Sequence, residues 1–98
     1  MKAKFRAIVG SNVIKRANGE FKLFRYIEIQ QGGKWIPFRD HSWVSYNWNR
    51  AKILNKLQLH QVIEFTADVE EYMDSQLQKK YALHKIRSIE VIGYKKLK

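Results

Sequence analysis

The sequence predicts a mainly β domain of five strands, with one short helix between the third and the fourth. Three observations carry that expectation. Apolar residues recur with period 2 in several separate stretches, tight-turn residues punctuate those stretches, and the spacing switches to a helical one only once, after Asn47.

Taken in order, Ala3, Phe5, Ala7 and Val9 alternate with Lys2, Lys4, Arg6 and Ile8, the pattern of a half-buried strand with a basic outer face. Val13 and Ile14 would prolong it as far as Ala17-Asn18-Gly19, where Asn-Gly marks a hairpin. The second strand, Phe21 to Gln30, has one face reading Phe21, Leu23, Arg25, Ile27, Ile29 and another reading Lys22, Phe24, Tyr26, Glu28, Gln30. The first face is expected in the core and the second outside. Gln31-Gly32-Gly33 makes the next tight turn, and the third strand runs from Lys34 through Trp43 and Val44, with Pro37 confining it to an edge or a bulge. Trp48, Ala51, Leu54 and Leu57 then follow helical spacing, with Asn47 as the expected N-cap. The fourth strand is the clearest: Ile63, Phe65, Ala67 and Val69 face one way, and Glu64, Thr66, Asp68 and Glu70 the other. A polar turn from Asp74 to Lys80 leads to a last strand, Tyr81 to about Ile92, interrupted near Lys85 to Ser88.

With 98 residues, 45% of them hydrophobic, the chain is sized for one core, so residues 1–93 are expected to form a single domain and residues 94–98 a basic tail. It has no cysteine, which excludes disulfides and thiolate metal sites. Lys4 and Arg6 interrupt the apolar residues at the N-terminus, and no stretch approaches the roughly 20 apolar residues of a membrane helix, so neither a signal peptide nor a membrane partner is expected and the setting is read as cytoplasmic. The net charge of +10 favours a polyanionic partner. That charge is uneven: residues 57–78 contain no Lys or Arg but five of the nine acids, Glu64, Asp68, Glu70, Glu71 and Asp74, which predicts an acidic side and a basic remainder.

Three strands in a meander, a short helix and two further strands make the order of a five-stranded Greek-key barrel. The chain therefore resembles the OB (oligonucleotide/oligosaccharide-binding) fold over nearly its whole length; a small SH3-like barrel is the structural alternative. The segments Arg39-Asp-His-Ser-Trp43, Val62 to Tyr72 and Tyr81-Ala-Leu83 also resemble small uncharacterised proteins of phages and mobile elements of Gram-positive bacteria. That second resemblance brings no established activity.

The OB resemblance implies a binding surface on the second and third strands, flanked by the loops between strands one and two and strands four and five. Phe24 and Tyr26 would stack on bases, extended by Trp35 or Phe38, only one of which would face out. Lys22, Lys34 and Arg39 would meet phosphates, with Lys15 and Arg16 in the first loop and Lys79 and Lys80 in the last closing the groove. The expected partner is single-stranded DNA or RNA, bound with low sequence specificity. The competing reading is a protein-interaction adaptor of a phage or mobile-element assembly, its aromatic face covered by a partner or a second copy, since aromatic residues are enriched in strands for packing alone. Trp43 and Trp48 read as core. Catalysis has little to stand on: Asp40 and His41 are adjacent and would point to opposite faces, His60 and His84 are isolated, and Gly32-Gly33 lacks the rest of a phosphate loop. No enzyme activity, cofactor or metal is expected, a metal-dependent nuclease at Asp40 and His41 being the remote alternative.

Overall fold

Alternating strands build one antiparallel sheet in the computed structural model, which describes residues 2–12, 14–16, 19–45 and 56–96, with Lys15, Arg16, Glu20 and Ser45 described through their backbone alone. The strands are β1 (Lys2–Val9), β2 (Ile14–Arg16), β3 (Gly19–Gln31), β4 (Lys34–Ser45), β5 (Gln61–Met73) and β6 (Lys79–Tyr94). The helix expected from Asn47 to Leu57 falls largely on residues outside that description, and of the described residues only Lys56 is helical.

The first expected strand is split. Beyond β1 Gly10 still meets β3, its N–H donating to Leu23 O at 2.8 Å, and the chain bends at Asn12. A Cβ at Gly10 would stand 2.5 Å from Arg25 Cγ, so the Arg25 side chain fills the space that any residue but glycine would need. The chain then returns to the same edge of β3 as β2, with Arg16 opposite Gly19. β3 and β4 are joined by the two-residue turn Gly32-Gly33, at φ 56° and 77°. Two positive φ values in a two-residue hairpin loop are the type I′ geometry, which matches strand twist and which glycine adopts without steric cost.

Around the sheet the path is β4–β3–β1–β5–β6, with β2 prolonging the β1 edge of β3. It is not closed: β4 pairs only with β3, and β6 only with β5. Pro37 therefore lies on an edge strand, and the register with β3 also slips between Pro37 and Arg39. β5 lies between β1 and β6, so its acidic face does not protect an edge.

Phe5, Ala7 and Val9 of β1 and Ile63, Phe65 and Ala67 of β5 are buried as their alternation requires. Phe5 stacks on Phe65 with ring centroids 5.6 Å apart. β3 departs from its expected phase. Arg6 pairs with Glu28 and Ile8 with Arg25, so three steps of β3 match two of β1, and the extra residue is accommodated at Tyr26, which has φ 52°. That bulge reverses the alternation. N-terminal to it Lys22 and Phe24 point inward; C-terminal to it Ile27 and Ile29 do. Arg25 and Tyr26, adjacent in sequence, both stay out of the core.

β6 is interrupted where the sequence predicts. Its register with β5 slips twice between Asp68 and Glu64, and Lys85 and Ser88 adopt φ 54° and 56° at those places. The β5–β6 turn is organised by Asp74, whose Oδ1 accepts the N–H groups of Gln76 and Gln78 at 2.8 and 2.9 Å.

Candidate functional site

The bulge is what makes a site. It turns the Tyr26 ring outward, 49% exposed, and the Arg25 guanidinium lies over that ring at 5.1 Å from its centroid. Two hollows of about 510 and 600 Å³ meet there, and Tyr26, Glu28 and Lys95 line both. Ile8, Val62 and Ile92 give the first an apolar lining, with Arg6, Lys95 and Lys96 as its cations. Pro37 and Phe38 line the second, beside Arg39 and Asp40. The second hollow thus lies along β3 and β4, and the first spreads onto β1, β5 and β6.

Glu28 is held from one side. Arg6 Nε donates to Glu28 Oε1 at 2.7 Å, and the Arg6 guanidinium lies 4.6 Å from the centre of the Trp35 ring. Trp35, Arg6 and Glu28 therefore form a chain from β4 across the outer face of β1 to β3. Lys95 is anchored through its backbone, its N–H donating to His60 O at 2.8 Å, while the rings of His60 and Tyr94 meet edge to face. The first residue after Tyr94 in the expected tail is therefore fixed to the sheet.

Two sequence expectations are overturned by the bulge. Phe24 is not a stacking platform: it is 0% exposed and packs on Phe65 with centroids 5.6 Å apart. Lys22 does not reach phosphates: it is 2% exposed, with Nζ donating to Leu57 O. Burial penalises its ammonium and holds its pKa below the ordinary lysine value of 10.5. Trp43 differs as well, standing partly exposed opposite Leu23 instead of in the core.

The remaining expected residues divide. Trp35 is half-buried beneath Arg6, whereas Phe38 turns toward the core and meets Phe5 edge to face at 5.2 Å. Arg39 is exposed and lines the second hollow, with Nη1 donating to Tyr81 O at 2.9 Å. Lys34 is exposed at the end of the β3–β4 turn. Lys15 and Arg16 are known only through their backbone, so their side-chain roles lie outside the description. Lys79 and Lys80 line neither hollow; they stand 3.4 Å from Glu71 and 3.9 Å from Asp74.

Those contacts belong to a wider pattern. Glu64 meets Lys4 at 3.1 Å, Glu70 meets His84 at 3.2 Å and Asp68 meets Arg87 at 3.4 Å. Every acid of the acidic segment thus faces a basic residue of β1 or β6, and the predicted acidic side is broken up by cross-strand pairing. Asp40 and His41 contact each other, His41 Nδ1 lying 3.3 Å from Asp40 Oδ2. Both are exposed, and no group of three potential metal-binding side chains occurs among the described residues.

The sequence reading missed Arg6, Glu28, Lys95 and Lys96 as site residues. Arg6 carried a signal, the basic outer face of β1. Glu28 and the lysines carried none, since their meeting depends on which strands become neighbours.

No protein-family model, curated protein or solved structure matches this chain. What stands is the class of fold, a mainly β protein whose strands form one open antiparallel sheet. Among the described residues no helix is long and apolar enough to cross a membrane.

Proposed function

We propose that this protein binds single-stranded nucleic acid, DNA or RNA, through the Tyr26 hollows, with at most modest sequence preference. The observation that carries the reading is the placement of Tyr26: a half-exposed aromatic ring, held in a backbone conformation unfavourable for it, between two hollows carrying Arg6, Arg39, Lys95 and Lys96. A left-handed non-glycine residue costs about 1–2 kcal/mol. An outward ring among cations is a use for that strain, because bases stack on aromatic faces and phosphates follow basic grooves.

The strand path supports an OB-like barrel as the finer description. Successive antiparallel pairings leave β4 and β6 running in the same direction, so closure needs only that one parallel seam. Arg39 Nη1 already bonds Tyr81 O across it, and the Phe38 and Tyr81 rings lie 6.4 Å apart. Tyr26 and Arg39 then fall on the two strands that bind ligands in that fold.

The test is titration of the protein with single-stranded oligonucleotides at low salt, followed by tyrosine and tryptophan fluorescence and by electrophoretic mobility. Quenching with a mobility shift is expected, and Tyr26→Gly should weaken binding by about 1–3 kcal/mol, the worth of one stacked base. An unchanged affinity in Tyr26→Gly would remove the ring from the site, and absence of any binding would remove the function.

A second reading has one observation in its favour. Tyr72, Met73, Leu77 and Tyr81 are exposed together around the β5–β6 turn, an apolar patch that would suit an adaptor docking a protein. Concentration-dependent sedimentation that disappears with Met73→Lys, together with no oligonucleotide binding, would favour it.

A further inference from the structure

Resting on the nucleic-acid reading, we infer that the Arg6–Glu28 pair reads a base edge and gives the site a preference for guanine over thymine or uracil. The geometry is a donor and an acceptor held side by side next to a stacking ring. Glu28 lines both hollows and stands two residues from Tyr26. Its Oε1 is fixed by Arg6 Nε at 2.7 Å, and Arg6 is itself steadied over Trp35. The pair is partly accessible, with side-chain exposures of 36% for Arg6 and 31% for Glu28. Among the described residues, Glu28 Oε2 and the two terminal nitrogens of Arg6 have no hydrogen-bond partner.

A carboxylate accepts and cannot donate, and a guanidinium donates and cannot accept. Guanine presents two adjacent donors, N1–H and the 2-amino group, next to the O6 acceptor. Glu28 would take the donors and Arg6 the O6. Thymine and uracil present one N–H between two carbonyl oxygens, so each approach that satisfies Glu28 also brings a carbonyl against its negative charge. Adenine and cytosine offer one amino donor each and fall between. Arg6 Nε engages only one oxygen of the Glu28 carboxylate, and a base edge supplies donors that the other can accept. Glu28 is thus a specificity-determining residue; Trp35 acts through Arg6 as a positioning residue.

The experiment compares an all-thymine 12-mer with the same strand carrying two separated guanines, a design that avoids guanine quadruplexes, against the intact protein, Glu28→Gln and Glu28→Asp. The parent should bind the guanine-containing strand about fivefold or more tightly, within the range a good base contact supplies. Glu28→Gln should lose that discrimination while binding the thymine strand as well as or better than the parent, because a negative charge is gone. Glu28→Asp keeps the charge, withdraws it by one methylene and should lose most of the discrimination. Thermal unfolding of each variant separates this from misfolding, and Glu28→Asp serves if Glu28→Gln unfolds. Equal affinity of the parent for both strands overturns the base-reading role and leaves the nucleic-acid reading standing. Discrimination that survives in both folded variants overturns it also, and binding to neither strand overturns both.

Discussion

Three neighbouring side chains of β3 have fates that alternation alone does not give them. Phe24 is sealed against Phe65, Lys22 is buried with its ammonium on Leu57 O, and Tyr26 stands outside. Phe24→Ala should therefore cost about 3–5 kcal/mol in urea-induced unfolding, as large-to-small changes in a packed core do. Tyr26→Gly should leave stability unchanged or raise it by about 1 kcal/mol, since glycine removes the left-handed strain. A small cost for Phe24→Ala would put its ring outside beside Tyr26, as the sequence first suggested. Lys22 adds a pH dependence. Its folded pKa is lowered by desolvation, so the unfolded chain binds the proton more tightly between the folded value and 10.5. The penalty of the buried charge is complete below the folded pKa and is relieved as pH rises through it. Unfolding of the parent and Lys22→Met, compared between about pH 8 and pH 11, should show the parent gaining stability relative to the variant as pH rises.

At the scale of elements, turns and bulges decide what each strand presents. Turn chemistry was legible at Gly32-Gly33, which joins β3 to β4, and the interruption of β6 near Lys85 to Ser88 coincides with its irregular register. The β3 bulge was not legible, because a left-handed bulge is usually signalled by glycine or asparagine and here carries tyrosine. With both faces of Phe21 to Gln30 rich in apolar residues, either phase buries rings, and only the cross-strand partners select one. The β5–β6 turn has its own pH response. Asp74 accepts the Gln78 and Gln76 amides and lies near Lys80, and these contacts, the Gln78 bond foremost, hold its pKa below the ordinary carboxylate value against a smaller desolvation effect. A lowered carboxylate pKa stabilises the turn above the ordinary value, and that stabilisation is lost as pH falls through the folded one. Hydrogen-exchange protection of the Gln76 and Gln78 amides should drop on acidification in the parent and be weak and pH-independent in Asp74→Ala.

At the scale of the whole molecule, the pairing of charges is decided in three dimensions. Lys79 and Lys80 looked like groove residues along the chain, but they pair with Glu71 and Asp74, while Lys95 and Lys96, from the expected tail, line the Tyr26 hollows. Binding should accordingly fall with salt by a log–log slope of about −0.7 for each phosphate contacted. Lys95→Ala with Lys96→Ala should flatten that slope, and Lys79→Ala with Lys80→Ala should leave it nearly unchanged. Measurement of affinity at four or more salt concentrations distinguishes these, and the reverse result would move the groove to the β5–β6 turn.

The sequence by itself determined the mainly β class, the Gly32-Gly33 turn, and the buried faces of β1 and β5, because period-2 alternation and turn chemistry act between residues close along the chain. Only the tertiary structure decided the phase of β3, the burial of Phe24 and Lys22, and the meeting of Arg6, Tyr26, Glu28 and Lys95. Those depend on register between strands remote in sequence, where one extra residue reverses every side chain beyond it.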